Sequence, residues 1–195
     1  IRPRDWSSDV CSSDLLIKSK PGEFNYGSSG VGTNTHLSGE LFNQMAGTKM
    51  IHIPYKGSGP VTTDLLAGRV QLSFQVPITV ISFVSAGRLR ALAMSGEGRL
   101  PAMPTVPTFT EAGMKGFGLT SVTGLVTPAK VPRAIINKIN TEVNAVLALP
   151  ATTEFMAKQG AEPFRSTPEQ AAAVIREELA RYAKIIKTGG IVYKP

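Results

Sequence analysis

Apolar residues recur along the chain with two different periods, and each period predicts one type of element. In residues 70–76, one side of the segment carries the apolar residues Val70, Leu72, Phe74 and Val76. The polar residues between them fall on the other side. A period of two is typical of a strand with one buried face, so we predict a strand over the whole segment.

A period near four predicts helices elsewhere. Leu37, Leu41 and Met45 fall on one face between Thr33, a suitable N-cap, and Gly47, a suitable stop. Comparable stripes predict helices over residues 60–68, 78–86, 132–149, 152–159 and 168–189. The last of these starts with a capping box formed by Thr167 and Gln170.

Short apolar segments lie between these helices and predict further strands at residues 24–26, 50–55, 89–95 and 119–126. Strands that alternate with helices form parallel sheets with right-handed crossovers. The fold class is therefore predicted to be α/β with a mostly parallel sheet.

Composition narrows the class of protein. The chain has 195 residues, of which 42% are hydrophobic and 18% charged, which is typical of a folded protein. No apolar run approaches the roughly 18 to 20 residues that a spanning helix needs. The only cysteine is Cys11, so the rest of the chain offers no disulfide and no cysteine-based metal site.

The net charge of +7 would suit an anionic macromolecule, and nucleic acid is therefore the first partner to consider. The basic residues are scattered singly and form no run interleaved with aromatic residues. This pattern favours a solvated basic surface, and we predict no nucleic-acid partner.

The stretch YGSSGVGTNTH at residues 26–36 joins a strand end to a helix start. The first N–H groups of a helix lack partners and carry partial positive charge, so such a loop suits an anion. The hydroxyls of Ser28, Ser29 and Thr33 add hydrogen-bond donors. An ordinary helix cap is the alternative interpretation of the same residues.

Motifs for catalysis and nucleotide binding are incomplete in this stretch. A Walker loop would need lysine where Thr33 stands, and a dinucleotide fingerprint would need glycine or alanine where Thr35 stands. Ser28 and Ser29 lie outside a G-x-S-x-G elbow. His36 and His52 are the only histidines, and no carboxylate spacing accompanies them. We predict a non-enzymatic protein without metal or cofactor.

Longer segments resemble a known family, the solute-binding receptors of tripartite tricarboxylate transporters. The resemblance covers residues 16–191 and rests on four motifs in the same order: KPGEFNYGSSGVGTNTHLSGELF, HIPYKGSGPVTTDLLAGRVQLSF, GRLRALAMSGEGRLPAMPTVPTFTEAG and QGAEPFRSTPEQAAAVIREELARYAKIIKTGGI. It implies a periplasmic-binding-protein fold of two α/β lobes, which close on a small organic acid and deliver it to membrane permease subunits.

The resemblance also implies a domain organisation. Residues 16–117 resemble the second lobe, and residues 118–195 resemble the returning part of an incomplete first lobe. The family's signal peptide, first strand and opening loop have no counterpart here, although the resemblance implies a periplasmic location. Residues 1–15 resemble translated sequencing-adaptor read-through at a non-native junction; a disordered native N-terminus is the alternative.

The family's ligand site maps onto particular positions of this chain. The residues implied are Ser28, Ser29, Thr33, His36, Tyr55, Lys56, Gly57 and Gln75. The chain departs from many relatives at Gln75, where an acidic or small residue is common, and at Val122 and Thr123, where an aromatic pair is common. Lys56 is equally well interpreted as a solvated loop lysine.

Two other classes of protein use a similar fold and loop. One is a doubly wound α/β enzyme that would bind a phosphorylated substrate in the same loop. The other is a ligand-sensing domain, which would need a fused DNA-binding or signalling segment.

Overall fold

The computed structural model describes residues 16–96, 98–119 and 121–189. The proposed junction at residues 1–15, with Cys11, therefore lies outside the described residues. The strands are β1 (Asn25–Ser28), β2 (Ile51–Pro54) and β3 (Leu72–Ser73). The helices are α1 (Asn34–Ala46), α2 (Ser58–Leu66), α3 (Pro77–Ser85), α4 (Arg133–Leu147), α5 (Pro150–Lys158) and α6 (Pro168–Gly189).

The strands form a parallel three-stranded sheet in the order β2-β1-β3. Tyr26 of β1 is in register with His52 on one side and with Leu72 on the other. Because the strands run in one direction, they all end at the same edge of the sheet, which we call the carboxyl edge. Helices α1, α2 and α3 each begin shortly after a strand has reached this edge.

Strand β3 is shorter than the strand predicted over residues 70–76. Side chains occupy ladder positions at both ends of its pairing with β1. The Gln71 Oε1 accepts a hydrogen bond from the backbone N–H of Asn25 at 2.9 Å, and the Ser73 hydroxyl donates to the Gly27 carbonyl at 2.8 Å. The segment alternates as predicted, but backbone pairing covers only its middle.

The strand predictions at residues 89–95 and 119–126 are wrong within the described residues. In the first segment only Met94 pairs, forming an isolated parallel bridge with Thr108. In the second, the described residues have no strand beside them, and Val126 is 84% exposed. A β-prone sequence forms a strand only where a neighbouring strand supplies hydrogen-bond partners.

The predicted ends of α1 are confirmed. The Thr33 hydroxyl accepts a hydrogen bond from the His36 N–H, and Gly47 adopts the left-handed conformation, with φ of 65°, that ends the helix. Helix α2 begins at Ser58, two residues before Pro60, because Gly57 turns the chain with φ of 108°.

The predicted capping box of α6 is also present. The backbone N–H of Thr167 donates to Gln170 Oε1 at 2.8 Å, and the N–H of Gln170 donates to the Thr167 hydroxyl at 3.2 Å. These reciprocal bonds satisfy N–H groups that the helix itself leaves unpaired.

The core lies between the sheet and α1. Its largest members are aromatic: Phe24, Tyr26, Phe42, Phe109 and Phe117. The rings of Phe109 and Phe117 stack at 3.9 Å between centroids. A second buried cluster, Leu37, Leu119 and Ile185, joins α1 to α6.

The opposite face of the sheet packs against α2. A Cβ added at Gly27 of β1 would lie 2.9 Å from the Val61 side chain. The sheet is thus covered by α1 on one side and by α2 on the other, as expected for parallel strands.

Helix α4 contacts α5 and α6 but buries none of its residues. Its predicted apolar stripe remains largely exposed, with Ile135 at 50% and Val146 at 53%. Helix α6 likewise exposes Ile175 and Leu179. Among the helices in the described part of the chain, none is both long and apolar enough to cross a membrane.

Two helical glycines offer a direct test of packing between α1 and β1. A Cβ at Gly39 would overlap the Tyr26 ring, whereas a Cβ at Gly59 would meet nothing within 4 Å. We expect Gly39→Ala to lower the free energy of unfolding by about 1–3 kcal/mol through overpacking. Gly59→Ala, the matched control, should leave it unchanged or slightly raised. Denaturant unfolding measures both, and equal stability of the two variants would contradict the proposed packing.

Exposure of the α4 stripe leads to a prediction on local stability. Because α4 buries no residue and α1 buries several, we expect faster amide exchange in α4 than in α1. Segment-resolved hydrogen exchange on a monomeric sample is the measurement. Equally strong protection of the two helices would show that the exposed stripe does not weaken this part of the chain.

Candidate functional site

The predicted site residues all lie at the carboxyl edge of the sheet or on the helix that starts there. Ser28 ends β1, the turn of Tyr55, Lys56 and Gly57 follows β2, and Gln75 follows β3. The chain passes from β1 to β2 on one side of the sheet and then crosses to place β3 on the other side of β1. In open α/β sheets, ligands bind in the crevice where the direction of such crossovers changes, which here lies between β1 and β3.

Backbone hydrogen bonds hold the loops after β1 and β2 together. The N–H of Tyr55 donates to the Ser28 carbonyl, and the N–H of Gly57 donates to the Ser29 carbonyl, both at 3.0 Å. The loop of residues 28–33, which we call the serine loop, is therefore fixed against the turn that precedes α2.

Thr35 is central to the hydroxyl groups of the serine loop. Its hydroxyl accepts from the Ser29 N–H at 2.9 Å and lies 2.9 Å from the Ser29 hydroxyl. It also lies 3.0 Å from the hydroxyl of Thr33, which donates to the Gly30 carbonyl at 2.7 Å. The sequence motifs identify Thr35 only as the residue that breaks a dinucleotide fingerprint, and do not predict its contacts with Ser29 and Thr33. Its position in the first turn of α1, beside other hydroxyl residues, was the available signal.

Unpaired backbone N–H groups lie in the serine loop and at the starts of α1 and α2. Within the described residues, no hydrogen bond engages the N–H groups of Val31, Asn34 and Thr35, or of Ser58 and Gly59 at the start of α2. The first turns of α1, α2 and α3 contain no acidic residue. The partial positive charge of these helix ends is therefore not neutralised locally, and the edge can accept an anion.

The other predicted side chains are engaged to different degrees. The Tyr55 hydroxyl donates to Asp64 at 2.8 Å, which ties the turn to α2. The Gln75 amide donates to the Ser73 hydroxyl at 2.9 Å, beside the β1–β3 crevice. Lys56 is exposed, as the solvated-lysine interpretation also requires.

His36 is buried rather than open to the edge, with 5% of its surface exposed. Its Nδ1 accepts a hydrogen bond from the Gly32 N–H at 3.0 Å, so the ring is bonded to the serine loop. Its ring stacks on that of His52 at 3.9 Å between centroids. The Nε2 of His52 lies 2.6 Å from the Ser28 hydroxyl. Sequence reasoning did not include His52 in the site, although its place in the strand after the loop was a usable signal.

The surroundings of both rings favour their neutral forms. Burial lowers the pKa of His36, and the nearby Glu40 carboxylate acts in the opposite direction. Burial, and then the neighbouring His36, lower the pKa of His52 to about 4. Both rings are therefore uncharged near pH 7.

The Ser28–His52 pair has the spacing of a nucleophile and its base, but not the access. Ser28 is fully buried, so its hydroxyl cannot reach a substrate. Within residues 16–96, 98–119 and 121–189, no group of three or more histidine, cysteine, aspartate or glutamate side chains could hold a metal ion. This arrangement is suited to holding an anion through neutral donors.

A shallow groove of about 430 Å³ lies elsewhere, between α3 and α5. Ile81, Pro101 and Ala157 are among its lining residues, which include none of the predicted site residues. It is wide open to solvent and is separate from the carboxyl edge.

Comparisons with known proteins agree with the sequence motifs. The family described as "Tripartite tricarboxylate transporter family receptor" matches residues 12–191. Protein BugT of Bordetella pertussis is 35% identical over 186 residues, which are 94% of this chain and 57% of that protein. The chain spans about half the length of the curated relatives it matches.

Solved structures show the same fold. A structure titled "R. palustris Rpa4515 with adipate" has a TM-score of 0.91 and 33% identity, covering 97% of this chain and 64% of that one. The periplasmic binding protein BugD has a TM-score of 0.84 and 26% identity, covering 97% and 64%. The predicted α/β fold of the periplasmic-binding-protein class is confirmed.

The predicted family resemblance is likewise confirmed. The matched proteins are solute-binding receptors, a non-enzymatic family, so the prediction of a non-enzymatic protein is also confirmed.

Proposed function

Because this chain belongs to the family of tripartite tricarboxylate transporter receptors, we propose that it is part of a periplasmic receptor that captures a small di- or tricarboxylate and delivers it to a membrane permease. The observation that carries the proposal is the set of unpaired N–H groups where α1 and α2 begin at the carboxyl edge.

The proposed carboxylate position lies against the serine loop and the turn after β2. The N–H groups of Asn34 and Thr35 donate from the start of α1, and those of Ser58 and Gly59 donate from the start of α2. A carboxylate has two oxygens with several lone pairs, so it can accept from both helix ends together. The Ser29 hydroxyl and the Gln75 amide supply further neutral donors.

Neutral donors suit a receptor that must also release its ligand. Charge-assisted bonds from backbone N–H groups hold a carboxylate without burying a fixed positive charge beside it. Lys56 stays at the exposed rim, where it attracts anions with little loss of its own hydration. The solved relative whose title names adipate supports a dicarboxylate as ligand.

The domain organisation enters as part of the same proposal. Residues 16–117 contain the whole described sheet and form the second lobe, while residues 118–195 form the returning part of the first. Residues 1–15 are proposed to be a non-native junction. Closure of two lobes over the ligand would present a distinct surface to the permease, which is how occupancy would be signalled. The contact of α6 with α1 links the residues of both proposed lobes.

The ligand class is tested by titration calorimetry on the full-length receptor. The panel contains adipate, citrate, acetate and ATP, each measured with and without a metal chelator. We expect adipate or citrate to bind most tightly and the chelator to have no effect, because the proposed contacts are all N–H and O–H donors. Binding of ATP alone, or turnover of any panel member, would refute the proposal.

Thr33→Ala separates the ligand role of the serine loop from its capping role. Loss of the cap should cost about 1 kcal/mol of unfolding free energy. Loss of the bond to the Gly30 carbonyl should also loosen the loop and weaken carboxylate binding, by about five- to tenfold.

Thr167→Ala is the matched control, since it removes an equivalent cap from α6, away from the carboxyl edge. It should lower stability by a similar amount and leave affinity unchanged. Unchanged affinity in Thr33→Ala would favour the ordinary helix-cap interpretation.

A further inference from the structure

The only two histidines of the chain lie in one stack, in which His36 is buried and His52 half-buried. The ring of His52, on β2, lies between that of Tyr26, on β1, and that of His36, on α1. The centroid distances are 5.0 Å to Tyr26 and 3.9 Å to His36, and both pairs of rings are close to parallel. Three separate elements therefore meet at this stack.

Both histidines are also bonded to the serine loop. The His52 Nε2 lies 2.6 Å from the Ser28 hydroxyl at the start of the loop. The His36 Nδ1 accepts from the Gly32 N–H, at 3.0 Å, near the end of the loop. The stack thus holds the loop at two points.

We propose that His36 and His52 are positioning residues that hold the serine loop in place as a stacked neutral pair, and that protonation of the pair releases the loop. The inference concerns the loop itself and does not depend on which ligand the receptor binds.

The tautomer of neutral His36 makes its protonation incompatible with the bond to Gly32. Because Nδ1 accepts from a backbone N–H, the ring proton of neutral His36 must be on Nε2. A second proton would have to enter at Nδ1, where a donor would then face the Gly32 N–H at the present 3.0 Å. Two donors cannot share that position, so Gly32 would have to move away.

The stack gives the second reason. Rings 3.9 Å apart, one buried and the other half-buried, cannot both carry charge without strong repulsion. A charge on His52 alone would also be poorly solvated there. Protonation therefore acts against the stack as well as against the Gly32 bond.

The groups around the rings determine whether the pKa of His36 is raised or lowered. Glu40, on α1, lies 4.0 Å from His36 Nε2 and accepts a hydrogen bond from the Tyr26 hydroxyl at 2.6 Å. Its charge favours protonation of His36, but burial outweighs it and lowers the pKa of that ring. Helix α6, on another face of α1, brings Tyr182, whose hydroxyl accepts from Asn34 rather than contacting the rings.

Acid should destabilise the folded chain through this pair of histidines. The ordinary pKa of histidine is about 6.5. The folded chain lowers the pKa of both rings, that of His52 to about 4. The unfolded chain therefore takes up protons first as the pH falls. The contribution of the pair is fully present above about pH 6.5 and is lost as the pH falls from there towards 4.

The test is an NMR titration of the chain from pH 8 to pH 4, with uniform ¹⁵N labelling. Since there are only two histidines, every imidazole signal reports on the stack. We expect both rings to titrate below their ordinary pKa. As His36 takes up a proton, exchange of the Gly32 amide should rise by about tenfold or more beyond its intrinsic pH dependence.

Two variants separate the bond from the titration. His36→Asn keeps an acceptor near the position of Nδ1 but cannot be protonated in this range, so Gly32 should stay protected at pH 5. His36→Phe keeps a stacked ring without an acceptor, so Gly32 should exchange rapidly at every pH. Exchange of the Gln170 amide in the α6 capping box is the internal control and should follow its intrinsic pH dependence in all three proteins.

Either of two results would overturn the proposal: histidines that titrate independently near pH 6.5, or Gly32 protection that persists unchanged after His36 is protonated. The wild-type titration decides the question even where a variant fails to fold. Because no ligand is used, failure of this test would leave the proposed carboxylate binding standing, and the reverse also holds.

Discussion

The close contact between Tyr26 and Gly39 positions much of the rest of this structure. Only a residue without a side chain lets α1 approach the ring of Tyr26 so closely. That approach places the Tyr26 hydroxyl on Glu40 and one face of the ring against His52. It also fixes the position of α1, and therefore of its first residue, relative to the end of β1. The serine loop spans that gap, so its geometry depends on a packing contact in the core.

The proposed anion site at the carboxyl edge depends on a parallel sheet and not on basic side chains. Strands that run together end together, so the helices that follow them bring their unpaired N–H groups to one place. Here the ends of α1 and α2 contribute donors, while bonds from Tyr55 and Gly57 to the serine loop keep the two ends together. The hydroxyl of Thr35 adds internal order, because Ser29 and Thr33 both contact it. The site is thus preorganised by backbone geometry more than by charge.

Local patterns in the sequence predicted what depends on neighbours along the chain. The caps of α1 and α6, at Thr33 and Thr167, could be predicted because a cap joins residues three apart. The strands at residues 89–95 and 119–126 could not, since a strand needs a partner that local sequence does not encode. The contact of His36 with His52 was equally hidden: it joins a helix to the second strand through the parallel register of Tyr26 with His52. Single residues of the edge were predictable; their mutual contacts required the fold.

The two proposals share the serine loop and constrain each other through linkage. If protonation of the histidine pair frees the serine loop, then anything that orders the loop must disfavour protonation by the same free energy. A carboxylate bound to the N–H groups of Asn34 and Thr35 would order the loop in this way. Its negative charge would act in the opposite direction and attract a proton to the rings, whereas His36 is bonded directly to Gly32. Because the 3.0 Å hydrogen bond joins the ring directly to the loop, ordering of the loop by a ligand would disfavour protonation of His36.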